Sequence, residues 1–209
     1  MSAEEAYQWL IKSSAHSQCD EFDIHIIACV FALAIDEADR TDVRIADGVG
    51  LERPAIRDLA AAMFPDARAF FDHAEVGDAL MIDEEEQSLR DILGMYCTGN
   101  SRLEWPIAAM IARRCKWTHH LWQDLGLPNR SQLSQLMKRH FARLAEKNQH
   151  DMKWKKFLYR MVCGSEGFTL CTAPVCSECD DFANCFGAED GEALLARRSD
   201  ANAASEKAA

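Results

Sequence analysis

The residue types best suited to chemistry in this sequence are four cysteines within fifteen residues: Cys171, Cys176, Cys179 and Cys185. Their spacing is C-x4-C-x2-C-x5-C, and Pro174 and Gly187 favour a loop that folds around one centre. Thiolates are soft ligands, which prefer zinc, Cu(I) or iron–sulfur clusters to calcium or magnesium. We therefore predict a cysteine-rich metal-binding loop at residues 171–187.

The spacing of the thiols leaves the identity of the metal open. A structural zinc site usually takes two C-x2-C pairs separated by a longer loop, whereas the pairs overlap here. The C-x4-C-x2-C part also occurs in plant-type ferredoxins, in which the fourth cysteine is remote in sequence. The pattern favours an iron–sulfur centre, with zinc as the alternative.

Other cysteines and histidines need a separate interpretation. Five cysteines stand alone in sequence and are interpreted as small buried hydrophobic residues: Cys19, Cys29, Cys97, Cys115 and Cys163. His119 and His120 are candidate nitrogen ligands. Adjacent side chains on a helix point in different directions, so we expect at most one of them to face a metal.

Charge is unevenly distributed along the chain. The net charge is −11, made up of −14 over residues 1–101, +9 over residues 102–160 and −6 over residues 161–209. A charged run usually means a solvated helical surface. Alternatively, the basic run at residues 102–160 forms an anion-binding face. The candidate anion-binding residues are four cations just before the cysteine run: Lys153, Lys155, Lys156 and Arg160.

The elements that must position these residues are helices. Apolar residues recur with helical period nearly throughout and no strand pattern is convincing, so we predict an all-α fold. Asn129, with Gln132 three residues later, is predicted to begin one helix. We expect an irregular helical bundle forming a single domain over residues 1–187, with the cysteine-rich loop at its end. A flexible tail is predicted at residues 188–209, where large apolar residues are scarce.

Composition also bears on the compartment and on the classes of protein to exclude. The longest apolar run, residues 26–35, has ten residues, against about 18 needed to span a membrane. Glu4 and Glu5 stand where a secretory signal would carry Lys or Arg, so we expect a cytoplasmic protein. Thiols stay reduced in the cytosol, which favours metal binding over disulfides. The sequence contains no P-loop and no H-E-x-x-H motif.

Three stretches of the sequence carry a family resemblance: HLWQDLGL at residues 120–127, MKWKKFLYR at residues 152–160 and CTAPVCSECDDFANCFG at residues 171–187. They resemble the NifQ family of nitrogen-fixation accessory proteins. The resemblance implies that the four cysteines hold an iron–sulfur cluster of the [3Fe-4S] or [4Fe-4S] type that incorporates molybdenum. Where the family is expected to have a Pro-containing run, this chain has residues 116–119, so His119 inherits no role.

The resemblance further implies a metal carrier, not an enzyme, that supplies molybdenum for the iron–molybdenum cofactor of nitrogenase. The implied partners are the cofactor-assembly scaffold and the nitrogenase iron protein. Molybdenum arrives as molybdate, a dianion, and a cluster held by four thiolates is itself anionic. We therefore expect the four cations before the cysteine run to stabilise the centre and attract molybdate.

Two further classes stay open at this point. One is a zinc-stabilised interaction module, which would be colourless and redox-silent. The other is a redox-sensing iron–sulfur regulator that binds nucleic acid through residues 102–160. The net charge of −11 opposes attraction to phosphates, so nucleic acid is the least favoured partner.

Overall fold

A computed structural model of the chain describes residues 1–73, 80–165, 185–186, 189 and 191–195. Over these ranges the regular structure is helical, without strands, which confirms the all-α prediction. The helices are α1 (Ala3–Lys12), α2 (Glu21–Arg40), α3 (Ile45–Val49), α4 (Arg53–Met63), α5 (Arg68–His73), α6 (Glu84–Met95), α7 (Glu104–Cys115), α8 (Leu121–Asp124), α9 (Arg130–His140), α10 (Ala142–Ala145) and α11 (Trp154–Ser165). The predicted cysteine-rich loop lies outside the described residues except at 185–186.

Helix α2 forms the centre of the hydrophobic core. Its N-terminus is capped by Asp20, whose side chain accepts hydrogen bonds from the backbone N–H groups of Phe22 and Asp23. Every residue from 26 to 35 is buried, and α1 and α3 pack directly against this helix. The longest apolar run is therefore a core helix. Among the described residues, no helix is both long and apolar enough to cross a membrane.

Buried charged side chains connect α2 to helices later in the chain. Arg114 of α7 is fully buried and donates to Glu37 Oε1 at 2.8 Å. His140 of α9 contacts Asp23 Oδ1 through Nε2 at 2.9 Å. Burial raises the pKa of Asp23, but hydrogen bonds from His140 and Arg139 outweigh burial and leave this pKa below its ordinary value. These pairs fix α7 and α9 against the central helix.

Helix α11 is fastened to the core by aromatic side chains. Trp154 and Phe157 are both buried, and their rings pack edge to face with centroids 5.7 Å apart. The indole N–H of Trp154 donates to Ser134 Oγ of α9 at 3.1 Å. Helix α9 begins as predicted, since Asn129 Oδ1 accepts a hydrogen bond from the N–H of Gln132 at 3.0 Å. The hydrogen bond from Trp154 to Ser134 thus links the first turn of α11 to α9.

The chain also packs at described residues beyond 187, the predicted end of the domain. Leu194 and Leu195 are buried, with 6% and 8% of their surface exposed, and they belong to the main hydrophobic cluster. They are the large apolar residues of a stretch that is otherwise rich in Ala, Glu and Arg, so burying them removes apolar surface from water. The packed part of the chain therefore extends as far as these two leucines.

Candidate metal centre

Cys185 is the member of the predicted ligand set that lies within the described residues; Cys171, Cys176 and Cys179 lie outside them. Cys185 is half-buried and packs against the hydrophobic core. Its backbone carbonyl accepts a hydrogen bond from the N–H of Lys153 at 2.9 Å. This bond holds the last cysteine of the run beside the first turn of α11.

The surroundings of that first turn suit an anionic centre. The N-terminal end of a helix carries a partial positive charge, and α11 begins at Trp154. Lys156 and Arg160 are exposed on this helix, and Lys153 directly before it is half-buried. Positive charge therefore comes from both the helix and its side chains at the place where Cys185 lies.

Lys155 has a different environment from the other three cations. Its ammonium donates to the carbonyl oxygens of Trp117 and His119, both at 2.6 Å, and to the carboxylate of Asp124. The side chain of Lys155 is 17% exposed and that of Asp124 is fully buried. An ammonium has three protons to donate, so these acceptors use them all. Lys155 thus holds residues 117–124, here called the histidine segment, against α11.

The hypothesis of anion attraction is accordingly kept for three cations: Lys153, Lys156 and Arg160. Lys155 differs because its charge is directed into the protein, where it compensates a buried carboxylate. A buried carboxylate without a partner would carry a large desolvation penalty. Lys155 therefore stabilises the fold by neutralising the buried carboxylate of Asp124.

The two candidate histidines face different carboxylates. His119 Nδ1 lies 3.1 Å from Asp124 Oδ1, and 43% of the His119 side chain is exposed. His120 Nδ1 lies 3.8 Å from Oε1 of Glu189, which is beyond hydrogen-bonding distance. Glu189 is itself only 3% exposed, and its Oε2 lies 3.8 Å from Nε of Arg130. A hydrogen bond to a buried carboxylate therefore distinguishes His119 from its neighbour.

The described residues among 185–195, here called the post-cysteine segment, pack along the histidine segment. Gln123 donates through Nε2 to the carbonyl oxygen of Glu192 at 2.9 Å. Gly191 lies so close that a Cβ added to it would be 2.5 Å from Gln123 Nε2, and its φ is +145°. Glycine alone combines this backbone conformation with so close an approach. The chain that follows the last cysteine is thus fitted to the segment that carries His119.

We expect Gly191→Ala to release residues 191–195 from the histidine segment. Local strain of about 1–3 kcal/mol is the expected cost of a side chain at this φ, and the clash with Gln123 adds to it. Amide hydrogen exchange at 191–195 should accelerate about tenfold while α2 stays protected. The matched control is Gly99→Ala, since Gly99 has φ +76° but no atom within 4 Å of an added Cβ. Unaltered exchange at 191–195 in Gly191→Ala would contradict this expectation.

Of the isolated cysteines, Cys29 and Cys115 are buried as predicted, whereas Cys19, Cys97 and Cys163 are half-buried. Burial raises the pKa of Cys115 to about 12, and it also raises the pKa of Cys29 and of Cys97. A thiol that stays protonated at neutral pH is a poor metal ligand. Within the described ranges, no three His, Cys, Asp or Glu side chains come together as a group that could hold a metal ion.

Sequence reasoning missed the carboxylate and amide that organise this region. Asp124 lies in the stretch HLWQDLGL, but its partner Lys155 is 31 residues away. Gln123 and Glu192 are 69 residues apart. No periodicity links such distant positions, so no sequence signal could have paired them.

An all-α chain whose cysteine run ends beside the first turn of a basic helix defines a candidate metalloprotein. The family model described as NifQ matches residues 26–187. A protein NifQ homolog from Sinorhizobium fredii is 37% identical over 173 residues, which cover 82% of this chain and 75% of that protein. The chain therefore belongs to the NifQ family of nitrogen-fixation proteins.

Other relatives match over shorter stretches. Protein NifQ from Rhodobacter capsulatus is 48% identical over 80 residues, which cover 38% of this chain and 44% of that protein. Protein NifQ from Azotobacter vinelandii is 39% identical over 106 residues, which cover 51% of this chain and 54% of that protein. These two matches span about half the length of each relative. No solved structure matches the chain.

Proposed function

We propose that this protein carries molybdenum for assembly of the iron–molybdenum cofactor of nitrogenase. The cargo is a molybdenum–iron–sulfur cluster on four thiolates: Cys171, Cys176, Cys179 and Cys185. The observation that carries the proposal is the four-cysteine run in a NifQ-family chain, with its last cysteine beside the first turn of a basic helix.

The chemistry of the donor set fits this cargo. Thiolates are the protein ligands of iron–sulfur clusters, and clusters of the [3Fe-4S] and [4Fe-4S] types are held by three or four of them. Cys185 is half-buried and packs against the hydrophobic core, so the core would shield one side of a cluster bound there. The positive end of α11 and its exposed cations reduce the free energy cost of the anionic cluster.

A carrier needs to bind and release its cargo and needs no group that transforms a substrate. The residues of this chain would hold the cluster, attract molybdate and present the loaded centre to a recipient. The recipient is the cofactor-assembly scaffold, together with the nitrogenase iron protein. These steps belong in the cytoplasm, where thiols remain reduced.

Metal and sulfide analysis of the protein, purified without oxygen from molybdate-supplied cells, tests the proposal. Iron, acid-labile sulfide and molybdenum in one brown protein are the expected result. Zinc alone, in a colourless protein that gains nothing from anaerobic reconstitution with iron and sulfide, would overturn the proposal. It would indicate a structural zinc module instead.

The cations near Cys185 have their own expected effect. Replacing Lys153, Lys156 and Arg160 together with Gln should lower molybdenum loading about threefold or more at low salt and leave bound iron unchanged. The reason is that local positive charge raises the concentration of a dianion near the centre, an effect that salt screens.

The matched control for this variant removes three exposed cations elsewhere: Lys12, Arg143 and Lys147. The control has the same net charge as the test variant, so only the position of the charge differs. Equal molybdenum loading in the two variants, at low and at high salt, would contradict anion attraction by α11.

A further inference from the structure

Three arginines line one cavity between α4 and α5. The cavity has a volume of about 290 Å³, and its cationic residues are Arg53, Arg57 and Arg68. Residues 1–101 contain only seven basic side chains against 21 acidic ones. Nearly half of the positive charge in the acidic part of the chain is therefore gathered at a single cavity.

The spacing of these residues explains how the cavity forms. Arg53, Arg57 and Ala61 are successive positions four residues apart on α4, so they lie along one side of that helix. Arg68 and Asp72 have the same spacing on α5. The small side chain of Ala61 leaves space beside the guanidinium groups. Like charges four residues apart on a helix repel each other, so an anion placed between them would relieve this repulsion.

Asp72 holds all three guanidinium groups at the cavity. Its Oδ1 accepts a hydrogen bond from Nε of Arg57 at 2.7 Å, and its Oδ2 lies 3.5 Å from Nε of Arg68. Arg53 donates through Nη2 to the backbone carbonyl oxygen of Asp72 at 3.2 Å. The hydrogen bond from Arg57 keeps the pKa of Asp72 below its ordinary value, so this carboxylate stays charged at neutral pH.

Two of the arginines keep donors for a further acceptor. Arg57 and Arg68 approach Asp72 through Nε, and within the described ranges neither makes a hydrogen bond through its Nη groups. Their side chains line the cavity and are 47% and 65% exposed. A guanidinium has four N–H bonds on its Nη atoms, which can bind two oxygens of one anion in parallel.

Charge and size both fit a small oxyanion. The lining includes two carboxylates, Asp58 and Asp72, so three arginines leave a net charge of +1. Pockets for drug-sized ligands measure about 300–1,000 Å³, and this cavity is at the small end of that range. Guanidinium groups on two helices approach from different directions, which suits an acceptor with oxygens on all sides better than a planar carboxylate.

We propose that the cavity between α4 and α5 binds a tetrahedral oxyanion of the sulfate, phosphate or molybdate type. Arg57 and Arg68 bind the anion through Nη, Arg53 adds positive charge, and Asp72 is a positioning residue that orients the guanidinium groups. The anion replaces water, and no covalent bond changes. The inference goes beyond the carrier function, because the cavity shares no residue with α11, the histidine segment or the cysteine run.

The test is an NMR titration of the metal-free full chain at pH 7 with sodium sulfate, against sodium chloride at the same ionic strength. Saturable shifts are expected for the Nε–H signals of Arg57 and Arg68 and for the backbone amides of α4 and α5. The Nε–H signal of Arg143, an exposed arginine of α10, should stay unchanged. Chloride should not reproduce the shifts, because it cannot accept from several guanidinium groups in a tetrahedral arrangement.

Parallel titrations with sodium molybdate and sodium phosphate distinguish the sources of the anion. Tighter binding of molybdate than of sulfate would support the site and identify the oxyanion of the proposed cargo metal as its ligand. Equal or tighter binding of sulfate or phosphate would support a site for general oxyanions.

Substitutions in the cavity separate binding from a structural role. Arg57→Gln should raise the Kd for sulfate about tenfold or more, since hydrogen bonds from a charged donor are lost. Arg57→Lys should raise the Kd less, because it keeps the charge but not the fork of donors. Asp58→Asn should lower the Kd about threefold, since it removes a nearby like charge. Arg143→Gln is the matched control, with the same net charge as Arg57→Gln and the parent Kd.

Ala61→Glu tests the cavity without removing an arginine or Asp72. It places a carboxylate in the space assigned to the anion and should abolish the sulfate response. Circular dichroism and thermal unfolding check that each variant folds, and exposed ion pairs such as Arg57 with Asp72 contribute little to stability.

Two results would overturn the assignment of the cavity. One is a sulfate response no different from that of chloride. The other is an unchanged Kd in folded Arg57→Gln and Ala61→Glu. Both measurements use the protein without metal, so failure of the carrier function, which would appear in the metal analysis, leaves them unaffected.

Discussion

Cys185→Ser is expected to lower bound iron at least tenfold, and bound molybdenum with it. Serine supplies a hard hydroxyl where the centre requires a soft thiolate, so one of the proposed cluster ligands is lost. The fold should survive, because the hydrogen bond between this residue and Lys153 uses the backbone carbonyl, which serine retains. Iron, sulfide and the visible spectrum of the anaerobically reconstituted protein are the measurements.

The matched control is Cys19→Ser. Cys19 is half-buried like Cys185, but it stands alone in sequence and its Sγ contacts the carbonyl oxygen of Ala62 at 3.7 Å. It should keep the parent content of iron and sulfide. If Cys185→Ser kept the same content and spectrum, the thiol of Cys185 would not be a ligand. If neither the parent nor the control bound iron, the cluster itself would be refuted.

Lys155→Met is expected to destabilise the folded protein by about 3 kcal/mol, because it leaves Asp124 buried without its cation. The side chain of Asp124 is fully buried, and its described hydrogen-bonding partners are Lys155 and His119. For a chain of this size, such a loss lowers Tm by roughly 6–12 °C. Urea unfolding of the metal-free protein measures the change without interference from the cargo.

Lys156→Met provides the control, because Lys156 is the next residue of α11 and is exposed. Its substitution should change the free energy of unfolding by less than about 0.5 kcal/mol. A double variant, Lys155→Met with Asp124→Leu, should recover part of the loss because it removes the buried charge as well. Equal stability of the two single variants would show that Lys155 does not support Asp124.

Local features of this protein were readable from the sequence. The uninterrupted apolar run at residues 26–35, too short to span a membrane, is the buried part of α2, and the capping residue Asn129 predicted the start of α9. Trp154 and Phe157 are three residues apart, the spacing of one helix face, and both are buried. All of these depend on interactions within a few residues, so neighbours in sequence carry the necessary information.

The sequence alone also identified the candidate ligand set. A thiolate prefers soft metals whatever the fold around it, and four thiols occur within fifteen residues. The position of Cys185 beside α11, by contrast, depends on a backbone hydrogen bond to Lys153, which is 32 positions earlier in the chain. Such a bond forms only when the packed core brings the two segments together.

Tertiary packing also gives different environments to two lysines that the sequence does not distinguish. Lys155 and Lys156 are adjacent, yet one is directed inward to Asp124 and the other is exposed. Their charges are identical, so composition assigned both to one basic surface. The rotation of α11 about its axis, set by the burial of Trp154 and Phe157, decided which lysine reaches the carboxylate beside His119.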